Sequence, residues 1–390
     1  MISYREIRES LVAWPKYPGC EPVLRAPLIT RGFPGTFNMS STEHHWLASL
    51  GGYVDWADDC IFTTIQSCVR LNDFPALPTG AGRRYLGVFE MADLSGEIAL
   101  AVRPDYTEAL AWQYRELARF CDGWGIPLER MYASYCAGGP VAALTAGKYR
   151  FDFDVPVDEP TRKAFVAAGF PAENLIPDRT RDTLLSLHVH RPTPWGYRSE
   201  TFIELDDGHL LDLATSEYLV WNPTFSGAPG KDTLNGLTPI ENGYYGIAFG
   251  VERLAMAINH LPRVHDIDCL AGYYRLLGER LGRPVAGEDY VTGEALRALH
   301  RIITDRDHHP EAAVTVDAAG ARSMGLKRRK KAAMLKRAVS ASLDEAALRE
   351  LLAAHAADQP WHAHLDETVE TTVREILTYR ASQGRRHVAA

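Results

Sequence analysis

A chain of 390 residues with 46% hydrophobic and 24% charged content has an ordinary globular composition, is long enough for a large core and for two domains, and is not expected to be disordered. A net charge of −8 and a pI near 6.0 exclude indiscriminate binding to DNA or to anionic membranes, while leaving room for a local basic patch. No uncharged apolar run reaches the roughly 18 residues of a membrane span, and the opening MISYREIRES lacks the basic-then-apolar order of a secretory signal, so a cytoplasmic protein is expected.

The chain opens on a helix: Ser3 and Glu6 form a capping box, and Ile7, Leu11 and Trp14 share one face. From Pro15 to Pro78 the text is rich in proline, glycine and aromatics, with Cys60–Leu71 reading as a strand between loops. A strand over LGVFEM follows, with Arg83 and Arg84 at its start and Glu90 within it. A long helix runs from about Thr107 to Trp124 and is ended by Gly125 and Pro127. One short helix is expected in VDEPTRKAFVAAGFP, then three strand-like pieces, LLSLHVHR, SETFIEL and HLLDLATSEYLVW. No regular strand–helix alternation appears, so the fold class expected is α+β around a largely antiparallel sheet flanked by helices. After Asp268 the character turns helical and alanine-rich, with Leu296, Leu299, Ile302 and Ile303 as one stripe and a helix over LDEAALRELLAAHA capped by Ser342 with Glu345. A domain boundary near residue 270 separates a unit spanning 1–268 from a smaller α-helical domain, 269–390.

The stretch Tyr245–Asp268, YGIAFGVERLAMAINHLPRVHDID, carries the sharpest chemical question. Val251, Leu254, Ala255 and Ile258 give a helix one buried face, and Arg253 falls in its first turn, where the helix dipole disfavours a cation. Two readings stand: a surface ion pair between Glu252 and Arg253, or an anionic ligand beside Arg253 that Gly246 and Gly250 let approach the backbone. The pair Arg83 and Arg84 supplies a second set of guanidinium forks, and arginines on two elements can clamp a polyphosphate from two sides. The six cysteines, Cys20, Cys60, Cys68, Cys121, Cys136 and Cys269, include no C-x-x-C pair, which predicts reduced structural thiols. His188 with His190, and His308 with His309, have no third ligand at a telling spacing, so no protein motif for a metal is expected.

Taken in order, these segments resemble the alanyl branch of class II aminoacyl-tRNA synthetases along about 300 residues. The first helix, QSCVR at Gln66–Arg70, Arg84 with Glu90 and Met91, the helix and Gly-x-Pro turn of EALAWQYRELARFCDGWGIPLERMY, TPWGYRSETF, WNPTF at Trp221–Phe225, and GVERLAMAI with HDID each match a family segment in turn. The resemblance implies a class II synthetase-like adenylation domain in 1–268 and a helical tRNA-recognition region in 269–390. It implies that ATP and magnesium activate alanine or another small amino acid as an aminoacyl adenylate, with transfer to tRNA. Within it, Arg84 would hold the α-phosphate and Arg253 the adenine and terminal phosphate, with Arg70, Gly250 and Glu252 completing the ATP site. Glu90 would order magnesium or the α-amino group. Asn222 would reach the amino acid, with Trp221 and Phe225 as walls; the plainer reading makes those rings core aromatics and Asn222 a turn residue.

The match breaks where the amino acid should sit. The family's ammonium-binding aspartate is Gly246 here, and Glu200, then Glu204 and Glu217, are the candidates to replace it. Tyr85 and Leu86 stand for two histidines, and Trp195 and Arg198 for two cysteines, so the pocket has been rebuilt. The run Lys327, Arg328, Arg329, Lys330 and Lys331, with Lys336 and Arg337, suits a tRNA backbone or is a solvated helix face. The resemblance extends to neither the family's editing domain nor its oligomerisation domain, and both are expected to be missing. Two further outcomes stay open: delivery of the acyl group to a small molecule or carrier, and a non-catalytic regulatory paralogue.

Overall fold

The computed structural model describes residues 1–13, 20–22, 61–99, 105–189, 191–226, 233–308, 331–339 and 343–388, together with Arg25, Leu28 and Thr42. Helix α1 (Tyr4–Val12) begins as its sequence predicts, with the Ser3 side chain accepting from the Glu6 N–H and Glu6 reaching back to the Ser3 N–H at 2.9 Å. Strands β1 (Cys20–Pro22), β2 (Ile61–Val69) and β3 (Val88–Ala99) precede helix α2 (Thr107–Gly123). Then come β4 (Met131–Cys136), the small ribbon of β5 (Gly139–Pro140) and β6 (Asp154–Val155) with α3 (Val141–Leu144) between them, and α4 (Glu159–Ala167). Strands β7 (Leu175–Asp178), β8 (Leu184–Val189), β9 (Arg191–Glu204), β10 (Leu210–Ser226), β11 (Thr233–Pro239) and β12 (Asn242–Gly250) follow without a long helix between them.

These strands make one ten-stranded sheet in the order β1-β2-β3-β12-β10-β9-β4-β7, with β11 added to β10 and β8 to β9. Only β1/β2 and β4/β7 pair in parallel; every other pairing in it is antiparallel. The centre is the long-range pairing of β3 with β12, Ala248 opposite Asp93 and Gly250 opposite Met91. The fold is α+β with an antiparallel-rich sheet flanked by helices and followed by C-terminal helices.

Pleating sends alternate residues to opposite faces, and the two faces are dressed differently. On one face, α2 covers the middle strands: Tyr114 Oη meets Ser199 Oγ at 3.0 Å, Gln113 Nε2 donates to the Leu94 carbonyl, and Phe120 packs on Phe249. The other face carries Met91, Asp93, Glu200, Thr215, Ala248 and Gly250.

Helices α5 (Val251–Ile258), α6 (Asp268–Leu281), α7 (Glu288–His308), α8 (331–338), α9 (Glu345–Asp358) and α10 (Val369–Val388) close the chain. Their apolar residues, from Leu254 and Leu270 to Leu296, Leu348 and Ile376, belong to the same buried cluster as the sheet's Val88 and Phe249. The start of α9 differs from expectation. Asp344 caps it, its side chain accepting from the Ala347 N–H, because Asp344 stands at the last non-helical residue; Ser342 lies outside the described residues. No helix among the described residues is long and apolar enough to cross a membrane. Cys68, Cys121, Cys136 and Cys269 are buried and belong to no disulfide.

Candidate functional site

Three guanidinium groups meet over the open face. Arg70 leaves the end of β2, Arg84 ends the 3-10 helix Gly80–Arg84 that leads towards β3, and Arg253 stands in the first turn of α5; all three line one cavity with Asp73, Glu200, Asp212 and Glu252. The β3/β12 register brings the two distant arginines together, since Gly250, the last residue before α5, is opposite Met91. Arg253 Nε donates to the Arg84 carbonyl at 3.0 Å, and its Nη1 donates to Asp212, to the carbonyl at 3.1 Å and to Oδ2 at 2.5 Å. Its guanidinium also lies 5.3 Å over the Tyr85 ring, so Tyr85 is a platform for the cation. Of the two open readings of Glu252 and Arg253, the ion pair is set aside: Arg253 turns to Asp212 and Glu252 turns inward.

Arg84 is placed differently. Its Nη1 donates to the Leu210 carbonyl at 3.0 Å, but its Nε is buried without a partner among the described residues. A buried N–H of a cation left without an acceptor is costly, and a phosphate oxygen is the kind of acceptor its fork fits. Arg83 parts company with its neighbour, turning outward to Asp207 at 2.8 Å. At Gly250 an added Cβ would come no nearer than 3.8 Å to the Arg253 side chain, so packing alone does not demand a glycine there.

Glu90 does not join the cavity, which corrects its expected place beside magnesium or an amino group. Its neighbours Phe89 and Met91 line the cavity, and the pleat sends Glu90 to the opposite face. There Arg8 grips it through Nε at 2.8 Å and Nη2 at 3.1 Å, and Tyr4 Oη donates to it at 2.9 Å. Its charge is spent at the seam between α1, the sheet and the segment of His362.

Trp221 and Asn222 are also elsewhere. Trp221 packs edge-on against Phe153 and Tyr197, centroids 5.9 and 5.1 Å away, which is the core-aromatic reading; Asn222 is exposed where β10 has left β12 for β11. Register shifts in β10 beyond Leu219 explain why the pattern up to Glu217 does not carry on. Trp195, buried beside Tyr149, is likewise core.

Gly246 faces the open side between Glu217 on β10 and Ser95 on β3. Of the candidate carboxylates, Glu217 is held by Arg198 at 2.7 Å, and Glu204 accepts from Tyr132 Oη at 3.2 Å. Glu200 lines the arginine cavity and accepts from Thr215 Oγ1 at 2.7 Å; burial pushes its carboxyl up, against the hydrogen bond of Thr215 and the charge of Arg198.

Three acids near the cavity carry no motif in the sequence: Asp73, Asp93 and Asp212. Asp93 shares the face of Ser95, the residue opposite Gly246, and is buried, with Ser95 Oγ donating to it at 2.6 Å. Asp93 and Asp212 are carboxylates within strands, and Asp73 stands three residues after Arg70.

Glu252 is buried with both carboxylate oxygens 3.0 Å from the Glu90 N–H. Burial first, and the nearby Glu90 charge second, push its carboxyl up to about 8. The folded protein therefore holds a proton that the unfolded chain releases near the ordinary value of 4.5. This contribution is fully present below pH 4.5 and is lost as pH rises towards 8. Urea unfolding of wild type and Glu252→Gln at pH 5.5 and 8.5 is expected to show the wild type losing roughly 3 kcal/mol more than the variant across that interval. Equal losses would assign the proton elsewhere.

Of the basic run, Lys331 opens α8 with its ammonium paired to Glu375, and Arg337 lies 5.4 Å over Phe74. Lys327, Arg328, Arg329 and Lys330 lie outside the described residues, as do His190 and His309.

No family model matches the chain. It is 26% identical over 272 residues to the alanine–tRNA ligase of Mycobacterium leprae, an alignment covering 65% of this chain and 26% of that protein. Among solved structures it is similar to a pyrrolysyl tRNA synthetase from Desulfitobacterium hafniense, with 14% identity, 67% of this chain and 71% of the other covered, and a TM-score of 0.28. It is also similar to the RNA-binding domain of threonyl-tRNA synthetase from Cryptosporidium parvum Iowa II, with 10% identity, coverage of 73% and 74%, and a TM-score of 0.41. The chain spans about a quarter of the length of the curated relative that it matches.

Proposed function

We propose that this chain activates an amino acid with ATP, forming an aminoacyl adenylate and pyrophosphate, and passes the acyl group to an acceptor, tRNA in the first instance. Residues 1–268 would carry the activation and 269–390 the acceptor. The observation that carries this reading is the single cavity shared by Arg70, Arg84 and Arg253, in which Arg84 Nε is buried without a partner. The likeness to an alanine–tRNA ligase supports the same chemistry.

In this reaction a substrate carboxylate oxygen attacks the α-phosphorus, a P–O bond forms, and the bond to the outgoing pyrophosphate breaks. The carboxylate is already ionised, so no general base is required and the rate comes from alignment and charge stabilisation. Arg84 and Arg70 would meet the phosphates, and Arg253 would follow once it trades Asp212 for an anion. The cavity holds about 100 Å³, below the roughly 300 Å³ at which small-molecule sites begin, so a nucleotide has to part that ion pair. Magnesium would come with the phosphates as their counter-ion and would not be held by Glu90, which is committed to Arg8.

For the amino group, Glu200 is the acid of choice. It lines the cavity and its charge is disfavoured by burial until a cation arrives beside it. Glu200→Gln is expected to raise the KM for the amino acid at least about tenfold while the KM for ATP stays within about twofold. The same rise in Asp93→Asn, with none in Glu200→Gln, would move the role to the neighbouring strand.

The reading is tested by amino-acid-dependent exchange of labelled pyrophosphate into ATP across a panel of amino acids. Exchange with one small amino acid is expected; a folded sample with magnesium that exchanges with none removes the proposal. Acceptor choice is read separately: neutralising Lys327 to Lys331 abolishes transfer to tRNA and spares transfer to a small molecule.

A further inference from the structure

Helix α7 bears His300, Thr304 and His308 at intervals of four residues, one stripe along its surface. The stripe runs against the segment leading into α10. His300 Nε2 is 2.7 Å from the Leu365 carbonyl, and the Thr304 and Thr368 hydroxyls are hydrogen-bonded. At the outer end of the stripe, the His308 ring lies flat on that of His364, centroids 4.2 Å apart and planes 8° from parallel. His364 holds a left-handed backbone, φ 66°. Glu367 spans the two rings: Oε1 is 2.9 Å from His364 Nδ1, and Oε2 is 3.5 Å from His308 Nε2.

We propose that His308, His364 and Glu367 are a binding site for one divalent transition-metal ion, with zinc the best chemical match. Each residue offers a donor atom, and the three lie within 4.8 Å of one another. Metal–ligand bonds of about 2.0–2.2 Å place the ligands of one ion roughly 3–4 Å apart, and because each metal–nitrogen bond lies in the plane of its imidazole, the two stacked rings must tilt out of their parallel packing for both to bind one ion. Both imidazoles turn a nitrogen to the same carboxylate, which is where an ion would take their lone pairs. Two imidazoles and one carboxylate suit zinc or cobalt, whereas magnesium and calcium prefer oxygen donors throughout.

The three side chains are between 26% and 55% exposed, which leaves the remaining coordination positions to water. A bound ion would tie the end of α7 to the start of α10. No sequence spacing announces it, because His308 comes from α7 and the other two ligands from the segment before α10, and only the packing of the two brings them together.

The test uses the full chain without a histidine tag, stripped with chelator and titrated with Co²⁺ alone. The expected result is saturation at one equivalent with visible d–d absorption, reversed by Zn²⁺. His308→Ala, His364→Ala and Glu367→Gln should each weaken binding at least about tenfold. His260→Ala, an exposed histidine beside Asp206, should leave it unchanged. Zinc should also raise the unfolding temperature of the wild type and not that of the three variants, which fold normally by circular dichroism. Absence of cobalt absorption, or equal affinity in wild type and the three variants, would reduce the cluster to surface ion pairs and overturn the proposal.

Discussion

Arg84→Ala is expected to lower amino-acid-dependent pyrophosphate exchange by about 10²–10³-fold while leaving the unfolding temperature unchanged or slightly raised. The two halves of this result come from one fact. Arg84 gives the folded protein a single side-chain hydrogen bond, to the Leu210 carbonyl, and leaves its Nε buried and unpartnered. Removing such a group relieves a desolvation cost, so stability has little to lose. A phosphate oxygen that fills the orphaned position is lost completely. Arg253 predicts the opposite pattern. It is bonded to the Arg84 carbonyl and to Asp212 and rests over Tyr85, so Arg253→Ala loses stability together with activity. The contrast separates ligand binding from scaffolding without a structure of a complex. If Arg84→Ala kept exchange within about threefold of wild type, the anion would be held by other groups.

Much of the local structure was legible because its causes are short-range. The Ser3–Glu6 capping box, the helix over Thr107–Gly123 and the start of α5 at Val251 are each determined by a few neighbouring side chains. The meeting of Arg84 and Arg253 was reached differently, from the resemblance of ordered segments, since nothing local ties residues that far apart. What escaped were decisions about faces. Alternation shows that Phe89 and Glu90 point to opposite sides of a strand, but not which side is covered by helices. Glu90 therefore passed for a site residue when its partners are Tyr4 and Arg8. Asn222 and Trp221 were lost to a register shift, a one-residue event that inverts every later assignment. His364 beside His308 depends on how the end of helix α7 lies against the turn that precedes α10, and no periodicity within either segment encodes it.

Glu294→Ala is expected to destabilise the protein by about 3–5 kcal/mol. Glu294 and Arg297 lie one turn apart on α7, both fully buried, and are joined at 2.5 Å. The carboxylate has four partners: Arg297, the Tyr274 hydroxyl, and the N–H groups of Gly87 and Val88 at 2.7 and 3.1 Å. Truncation leaves a guanidinium without a counter-charge, and Nε and Nη2 of Arg297 already lack partners. It also strips two backbone donors at the entry to β3. An added Cβ at Gly87 would fall 2.5 Å from the Phe74 ring and 3.1 Å from Glu294 Cβ, so this close approach of the strand to α7 requires a glycine. Arg297→Ala should cost less, because Glu294 keeps three hydrogen bonds that favour its ionised form. Urea unfolding of the two single variants and the double variant gives the coupling directly, and a Glu294→Ala loss below about 1 kcal/mol would show the pair to be replaceable. Because Gly87 follows Arg84 by three residues, the C-terminal helices and the arginine cavity share this anchor. Deleting the helices from residue 288 onward is therefore expected to disorder the approach to β3 along with the helical layer itself.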